Sequence, residues 1–301
     1  MIDYGGLRAV GAVVQTGSFE KAAKLLHVTP SAVSQRVKAL EDRLGFFLIQ
    51  RGNPCIATEK GEWLCRHLEQ VGLLERALLQ QLPGLARDDG PSPRVTLHIA
   101  VNADSLATWF LDAAAQYTRE TGVLLDLTVD EEGRTADWLA HGRVVAAVTS
   151  REQPVTGCRR VSLGALRYLA NASPDFADRH FAEGLTETAF AQAPVLTFNR
   201  HDSLQSGWMK TVLGREPDCP THCLPSTHAF LDGCLAGIGW CMNPVLLAQH
   251  HVDAGRLVDL LPGRPLDVPL YWQVNRLAAD LIAPLTRAVT AAAAARLIRL
   301  S

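Results

Sequence analysis

Nothing in this 301-residue chain reads as a membrane anchor, because no run of about eighteen apolar residues occurs in it. The opening decapeptide, MIDYGGLRAV, also lacks a basic stretch followed by an apolar core. No export signal is read there, and the chain is expected to work in the cytoplasm, away from any membrane. Cysteine is scarce: the seven residues form an odd, scattered set, which argues against a disulfide framework. The one cluster, CPTHC from Cys219 to Cys223, has no recognised zinc spacing, so no metal is expected. Catalytic signatures are missing as well, with neither G-x-S-x-G nor H-E-x-x-H present. His27, His98 and the His250–His251 pair read as structural or solvated histidines. An enzyme is not expected, nor is a cofactor.

What is present is ordinary globular composition, 48% hydrophobic and 20% charged, in a chain long enough for two or three domains. The net charge of −2 hides an asymmetry. Residues 1–60 hold eight Lys/Arg against five Asp/Glu, a surplus of three positive charges, so the remainder carries −5. A mildly basic head on an acidic body suits a DNA-binding module joined to something else.

The head has helical punctuation. Leu7, Val10, Gly11 and Val14 recur at helical spacing, and Gly17 reads as a left-handed cap. Ser18 caps a second helix with Phe19, Ala22, Ala23 and Leu26 on one face, and Thr29–Pro30 opens a third, PSAVSQRVKALEDRL. At about 100° per residue, Val33, Val37, Leu40 and Leu44 share one arc, and Ser31, Ser34, Gln35 and Lys38 lie roughly opposite, with Arg36 on the flank. Hydroxyls, an amide and cations near a helix N-terminus suit base edges and phosphates in a major groove. A merely solvated face would carry more Glu and Lys. FFLIQRGNPCIAT follows as a short hairpin-like wing, with Arg51 placed to reach a phosphate.

Thr58 can cap a further helix through Leu82, whose Leu64, Leu68, Val71, Leu74, Leu78 and Leu82 make a long apolar stripe. Pairing with a second copy is its simplest use, since it brings two recognition helices to two half-sites. Packing on its own chain is the alternative. PGLARDDGPSPR is a Pro/Gly-rich linker.

Beyond it the pattern becomes strand–helix–strand: VTLHIAV, an apolar helix from Leu106 to about Tyr117, VLLDLTV, a helix through Leu139, then VVAAV. Such βαβαβ order implies a parallel sheet, with ligands outside the carboxyl ends of its strands. All three ends are polar: Asn102, Ala103, Asp104 and Ser105; Asp130 to Glu132; Thr149 and Ser150. The first lies at a helix start whose free N–H groups and Ser105 hydroxyl can hold a carboxylate. Asp130 and Glu132 share a face if the strand continues, which suits a cation. The bland alternatives are a simple helix cap and a solvated turn. Together, an anion seat facing a cation seat describes a zwitterion with a positive side chain. In the second half PVLTF runs to Asp202, CLPST presents Ser226 and Thr227 before a helix, and GIGWCM ends at Asn243–Pro244. LVDLLPGRPLDVPLYWQV then carries the chain back. The expected architecture is α/β: a winged helix-turn-helix, a long linker helix, and a two-lobed, periplasmic-binding-protein-like effector domain with a cleft between its lobes.

FEKAAKLLHVTPSAVSQRVKALEDRLGFFLIQR resembles the winged helix-turn-helix of LysR-type transcriptional regulators. That resemblance implies groove or phosphate contacts for Ser31, Ser34, Gln35, Arg36 and Lys38, and a wing contact for Arg51. VNADSLATWF, DEEGRT, AAVTS, PVTGCRRVSLGALRYL and DVPLYWQ are similar to the effector domain of the ArgP/LysG branch. The branch implies sensing of L-lysine or L-arginine and control of an exporter of basic amino acids. It implies effector contacts at Ala103, Asp104 and Ser105, at Asp130, Glu132, Thr149 and Ser150, and in the second lobe at Asp202, Ser226 and Thr227. In NRHDSLQ, Arg200 and His201 beside Asp202 complicate a seat for a cation. Boundaries are expected at 1–58 for the DNA-binding domain, 59–91 for linker helix and hinge, and 92–301 for the effector domain. Its lobe I would comprise 92–164 and 268–301, and lobe II 165–267. The partners implied are double-stranded promoter DNA, a second copy in a homodimer or tetramer, and RNA polymerase. The alternatives are a LysR-type regulator for a different metabolite and, more remotely, an enzyme or a transport binding protein built on the two-lobed domain.

Overall fold

Asp3, Ser18, Thr29 and Thr58 each stand just before a helix, and each side chain accepts a backbone N–H from the first turn, those of Gly6, Lys21, Ala32 and Gly61. These caps mark out α1 (Tyr4–Thr16), α2 (Phe19–Leu25), α3 (Pro30–Leu44) and, after the wing, α4 (Glu59–Gln81). Gly17 closes α1 in the left-handed conformation at φ 68°, where a side chain would be strained. The wing is β1 (Ile49–Gln50) antiparallel to β2 (Ile56–Ala57). This computed structural model describes residues 2–82, 96–130 and 134–300, and its chain divides into two compact units between Thr96 and Leu97.

The first unit has one core. Leu7, Val10 and Val13 of α1, Ala22 and Ala23 of α2, and Val33, Val37 and Leu40 of α3 are buried together with Leu48 and Ile49 of the wing. Leu44, expected on the packing arc, is 37% exposed. Glu41 is buried instead, and its carboxylate accepts the N–H groups of Leu48 (2.7 Å) and Ile49 (3.2 Å). An acidic residue at a packing position is tolerated because it ties the wing to the back of α3. The stripe of α4 splits in two. Leu64 and Leu68 pack on the core, while Leu74, Leu78 and Leu82 are exposed.

The second unit begins with β3 (Thr96–Asn102), which runs directly into α5 (Ala103–Ser105). The helix continues through a π-helical turn, Leu106–Phe110, into α6 (Leu111–Thr121), so it starts three residues earlier than its apolar pattern suggested. There follow β4 (Leu124–Asp130), α7 (Thr135–Ala140) and β5 (Ala146–Thr149), with β3 and β5 parallel as the βαβ order required. β6 (Cys158–Ala172) is a single strand of 15 residues. After it come α8 (Pro174–Phe181), α9 (Glu187–Gln192), β7 (Val195–Thr197), α10 (Leu204–Leu213), β8 (Thr221–Cys223) and α11 (Thr227–Leu235). β9 (Cys241–Pro244), α12 (Val245–Asp253), β10 (Val258–Asp259), β11 (Leu266–Asn275) and α13 (Ala283–Arg296) complete the chain.

The main sheet has the order β10-β6-β11-β5-β3-β4, with β9 also on β6. β11 lies antiparallel between β5 and β6, so the returning strand adds an antiparallel element to a sheet begun as parallel. Two long neighbours, β6 and β11, therefore cross from one half of the unit to the other. Their register shifts between Leu270 and Tyr271, opposite Gly164 at φ 112°. A Cβ on Gly164 would stand 2.6 Å from the Ile298 carbonyl oxygen, so glycine is required on both conformational and steric grounds. One half buries Trp109, Phe110 and Trp272. The other packs Phe181, Phe190, Trp208 and Trp240 in edge and tilted contacts.

Candidate functional site

Three elements converge on one carboxylate. Asp104 lies in the first turn after β3, Tyr168 in β6 near the strand crossing, and Thr227 at the start of α11. The Tyr168 hydroxyl donates to Asp104 Oδ2 at 2.7 Å, and the Thr227 hydroxyl donates to Oδ1 at 2.6 Å. Residues 123 positions apart in sequence are thereby joined through side chains alone. Tyr168 and Thr227 are buried, whereas Asp104 is half-buried, its carboxyl crowded by protein while the residue still meets solvent. Crowding pushes the Asp104 carboxyl above its ordinary range. The two hydroxyls pull the other way, and the negative charge of Asp202 adds to the rise. Among the described residues, no lysine, arginine or histidine pairs with Asp104.

The surrounding turn is polar and incompletely satisfied. Neither Asp104 nor Ser105 caps its helix; the capping position is Asn102, which makes no side-chain cap bond. Both amide atoms of Asn102 and the Ser105 hydroxyl are buried and find no partner among the described residues. Unpaired polar atoms in a folded protein call for an explanation, because leaving a buried group unsatisfied costs about 1–3 kcal/mol. Ala103 is half-buried between them.

The other sequence-predicted positions divide. Asp202 is half-buried and accepts the N–H groups of Phe198 (2.8 Å) and Leu204 (3.1 Å), so it shapes its own loop while its charge reaches Asp104. Arg200 and His201 are exposed, and among the ion pairs of the described residues neither joins it. Ser226 is exposed and caps α11 through the Ala229 N–H. Thr149 is buried and its hydroxyl accepts the Arg151 N–H, with Ser150 half-buried beside it. Asp130 accepts the Trp138 indole N–H at 2.9 Å. Glu132 lies outside the described residues. Tyr168 was the residue the sequence concealed, since a tyrosine inside an apolar strand reads as core. Behind the site, Cys234 and Cys241 stand 3.3 Å apart, and burial first, then Cys234 and the charges of Asp104 and Asp202, holds the Cys241 thiol well above its usual range.

In the first unit, α3 presents Ser31, Gln35, Arg36 and Lys38 to solvent, with Ser34 half-buried, opposite the buried Val33, Val37 and Leu40. Arg51 is exposed on the wing, its guanidinium 5.1 Å from the centre of the Phe19 ring. Stacking orients the cation without neutralising it.

A winged helix-turn-helix unit and a second unit with a polar seat between two halves define a ligand-responsive DNA-binding protein. The comparisons agree. Residues 5–62 match the bacterial regulatory helix-turn-helix protein family, lysR type, and residues 90–297 match the LysR substrate binding domain. The chain is 41% identical over 301 residues to the HTH-type transcriptional regulator ArgP of Pseudomonas aeruginosa, covering 100% of this chain and 99% of that one. The crystal structure of ArgP from Mycobacterium tuberculosis is 41% identical with a TM-score of 0.78, both chains covered fully. Full-length LysG from Corynebacterium glutamicum with bound effector Arg is 36% identical with a TM-score of 0.66, covering 99% of this chain and 100% of that one. The chain belongs to the LysR family of transcriptional regulators, in its ArgP/LysG branch.

Proposed function

We propose that this LysR-family regulator binds promoter DNA through Ser31, Ser34, Gln35, Arg36, Lys38 and Arg51, and takes L-lysine or L-arginine as effector in its second unit. The observation that carries the effector reading is the Asp104 carboxylate, held by two neutral hydroxyls, with the charge of Asp202 nearby and, among the described residues, no cation paired to it. Such a carboxylate favours the approach of a positively charged group. Support also comes from the similar LysG protein, whose structure holds arginine. Asp104 is bonded to both Tyr168 and Thr227, so a ligand that competes for or strengthens those bonds acts on the two halves of the unit at once. Only a difference in affinity between two arrangements turns binding into a switch.

The domain limits we infer are 1–58, 59–91 and 92–301, with lobe I (92–164 and 268–301) and lobe II (165–267) meeting where β6 and β11 shift register. The exposed Leu74, Leu78 and Leu82 support a homodimer through α4, and a regulator of bacterial promoters acts in the cytoplasm. Control of an amino-acid exporter gene, with RNA polymerase as a further partner, completes the reading. Isothermal titration of the full-length protein with lysine, arginine, histidine and leucine tests it. Saturable binding of lysine or arginine, at least tenfold tighter than that of leucine, is expected; equal or tighter binding of leucine refutes the basic amino-acid reading.

A further inference from the structure

We infer that Gln273 is a positioning residue for the effector site: it clamps the segment after β5 to β11, so that Ser150 follows the strands that cross between the two halves of the unit. This rests on the effector reading above and adds to it how one edge of the site is held and moved.

Residues 151–155 form an irregular link after β5, with Arg151, Glu152, Gln153 and Pro154 exposed. The backbone of such a surface segment is ordinarily met by water. Here one fully buried side chain meets three of its groups. Gln273 Nε2 donates to the carbonyl oxygens of Arg151 (2.9 Å) and Gln153 (3.3 Å), and its Oε1 accepts the Val155 N–H at 2.8 Å. An amide side chain has two N–H donors and one carbonyl oxygen, so the whole group is committed to this link. Thr149 Oγ1 accepts the Arg151 N–H at 3.1 Å, which holds Arg151 at both its N–H and its carbonyl. Arg160 adds a second grip. It donates to the Glu152 carbonyl (3.0 Å) and carboxylate (3.3 Å), and its guanidinium lies 5.0 Å from the centre of the Tyr271 ring.

Strand register puts this clamp beside the crossing. Gln273 stands opposite Arg160 of β6 on one side and Ala147 of β5 on the other. Tyr271, the first residue beyond the register shift, stands opposite Thr149. Ser150 is half-buried and lies between Thr149, fixed in the sheet, and Arg151, fixed by Gln273. A movement of β11 at the shift therefore carries Gln273, the link and Ser150 together. Filling space does not explain an amide here. Burying one costs free energy that its hydrogen bonds at best return, and β11 uses apolar residues at its neighbouring buried positions, Trp272 and Val274. Support of this kind fixes a contact residue without itself meeting the ligand.

Calorimetric titration of the full-length protein with L-arginine and L-lysine tests this. The variants are Gln273→Met, Ser150→Ala and the two combined, each titrated at a temperature where thermal melts show it folded. Gln273→Met is expected to weaken the tighter ligand at least about threefold. A smaller loss overturns the inference even if the melting temperature falls, because an amide serving the fold alone alters stability and spares affinity. In the Ser150→Ala background the same change should cost less than half that factor, since the group being positioned is gone. A cost of half or more means that Gln273 does not act through Ser150, and the inference is overturned. Ser150→Ala binding within about twofold of the parent overturns it as well, while the effector reading, which stands on Asp104, survives. Should Gln273→Met fail to fold, hydrogen exchange of the unaltered protein decides: saturating arginine should slow the amides of residues 150–155, and unchanged exchange there overturns the inference. If neither lysine nor arginine binds the unaltered protein, the effector reading itself fails, a result distinct from the loss of this coupling.

Discussion

The two helix starts to which we assign DNA and effector binding are built in opposite ways. At α3, Thr29 caps the first turn, Pro30 follows, and Ser31, Gln35, Arg36 and Lys38 stand in solvent. At α5 there is no side-chain cap, Asn102 and Ser105 are buried with atoms unpaired among the described residues, and a carboxylate is tied to two distant elements. The first start is complete without its partner; water satisfies its groups until a groove replaces the water. The second is incomplete alone. A long polymer can be read only by side chains that protrude, whereas a small zwitterion is held best by groups already stripped of water. Exposure at one start and unmet hydrogen bonds at the other match the sizes of the partners we propose for them.

The largest expected effect separates the two starts by symmetry. In the proposed reading a single α3 meets one half-site, and tight binding needs the second copy that the exposed Leu74 and Leu78 would recruit. Leu74→Glu with Leu78→Glu should turn a sedimenting dimer or larger assembly into a monomer. It should also weaken binding to a site selected from random DNA by at least about 100-fold, the scale of lost avidity. Arginine affinity should stay within about threefold. A variant that remains dimeric and binds DNA normally would mean α4 does not pair copies.

A second prediction concerns what each exposed side chain does. Gln35→Ala should relax base preference at one position by about 1–3 kcal/mol of discrimination, whereas Arg51→Ala should weaken all sequences alike and lower the salt slope by about one. Competition binding at several salt concentrations reads both. Indistinguishable behaviour of the two variants would refute the split between groove helix and wing.

The smallest effect is a pH signature of the buried start. Burial raises the Asp104 carboxyl, so the folded protein favours its protonated form more than the unfolded chain does. Stability from this group is present at low pH and is lost as pH rises from the ordinary value of 3.8 through the raised one. Asp104→Asn should remove that loss, leaving the variant as stable as the parent or more so at neutral pH in thermal melts. A marked fall in melting temperature would show that Asp104 serves the fold rather than a ligand.

These starts were not equally legible. In α3 the sequence displays the groove-facing arrangement we propose, because exposed polar residues alternate with Val33, Val37 and Leu40 at helical spacing, and Thr29–Pro30 marks where the helix begins. The βαβ order and the polar strand ends were legible for the same reason: periodicity and caps are local. Glu41, Leu44 and Tyr168 were not. A buried Glu41 needs the wing's two N–H groups, and Tyr168 needs Asp104 to turn from core residue into site residue. Thr227 could be assigned to a cleft, but its bond to Asp104 depends on a fold that brings α11 over the end of β3. The antiparallel return of β11 and the register shift at Gly164 are likewise properties of the whole sheet.

A crystal structure of the full-length protein with L-arginine tests the account most directly. It should show the ligand bound at the turn of Ala103, Asp104 and Ser105, with one of its cationic nitrogens about 3 Å from an Asp104 oxygen. A ligand seated away from this turn would contradict it, as would a seat closed by the protein's own side chains.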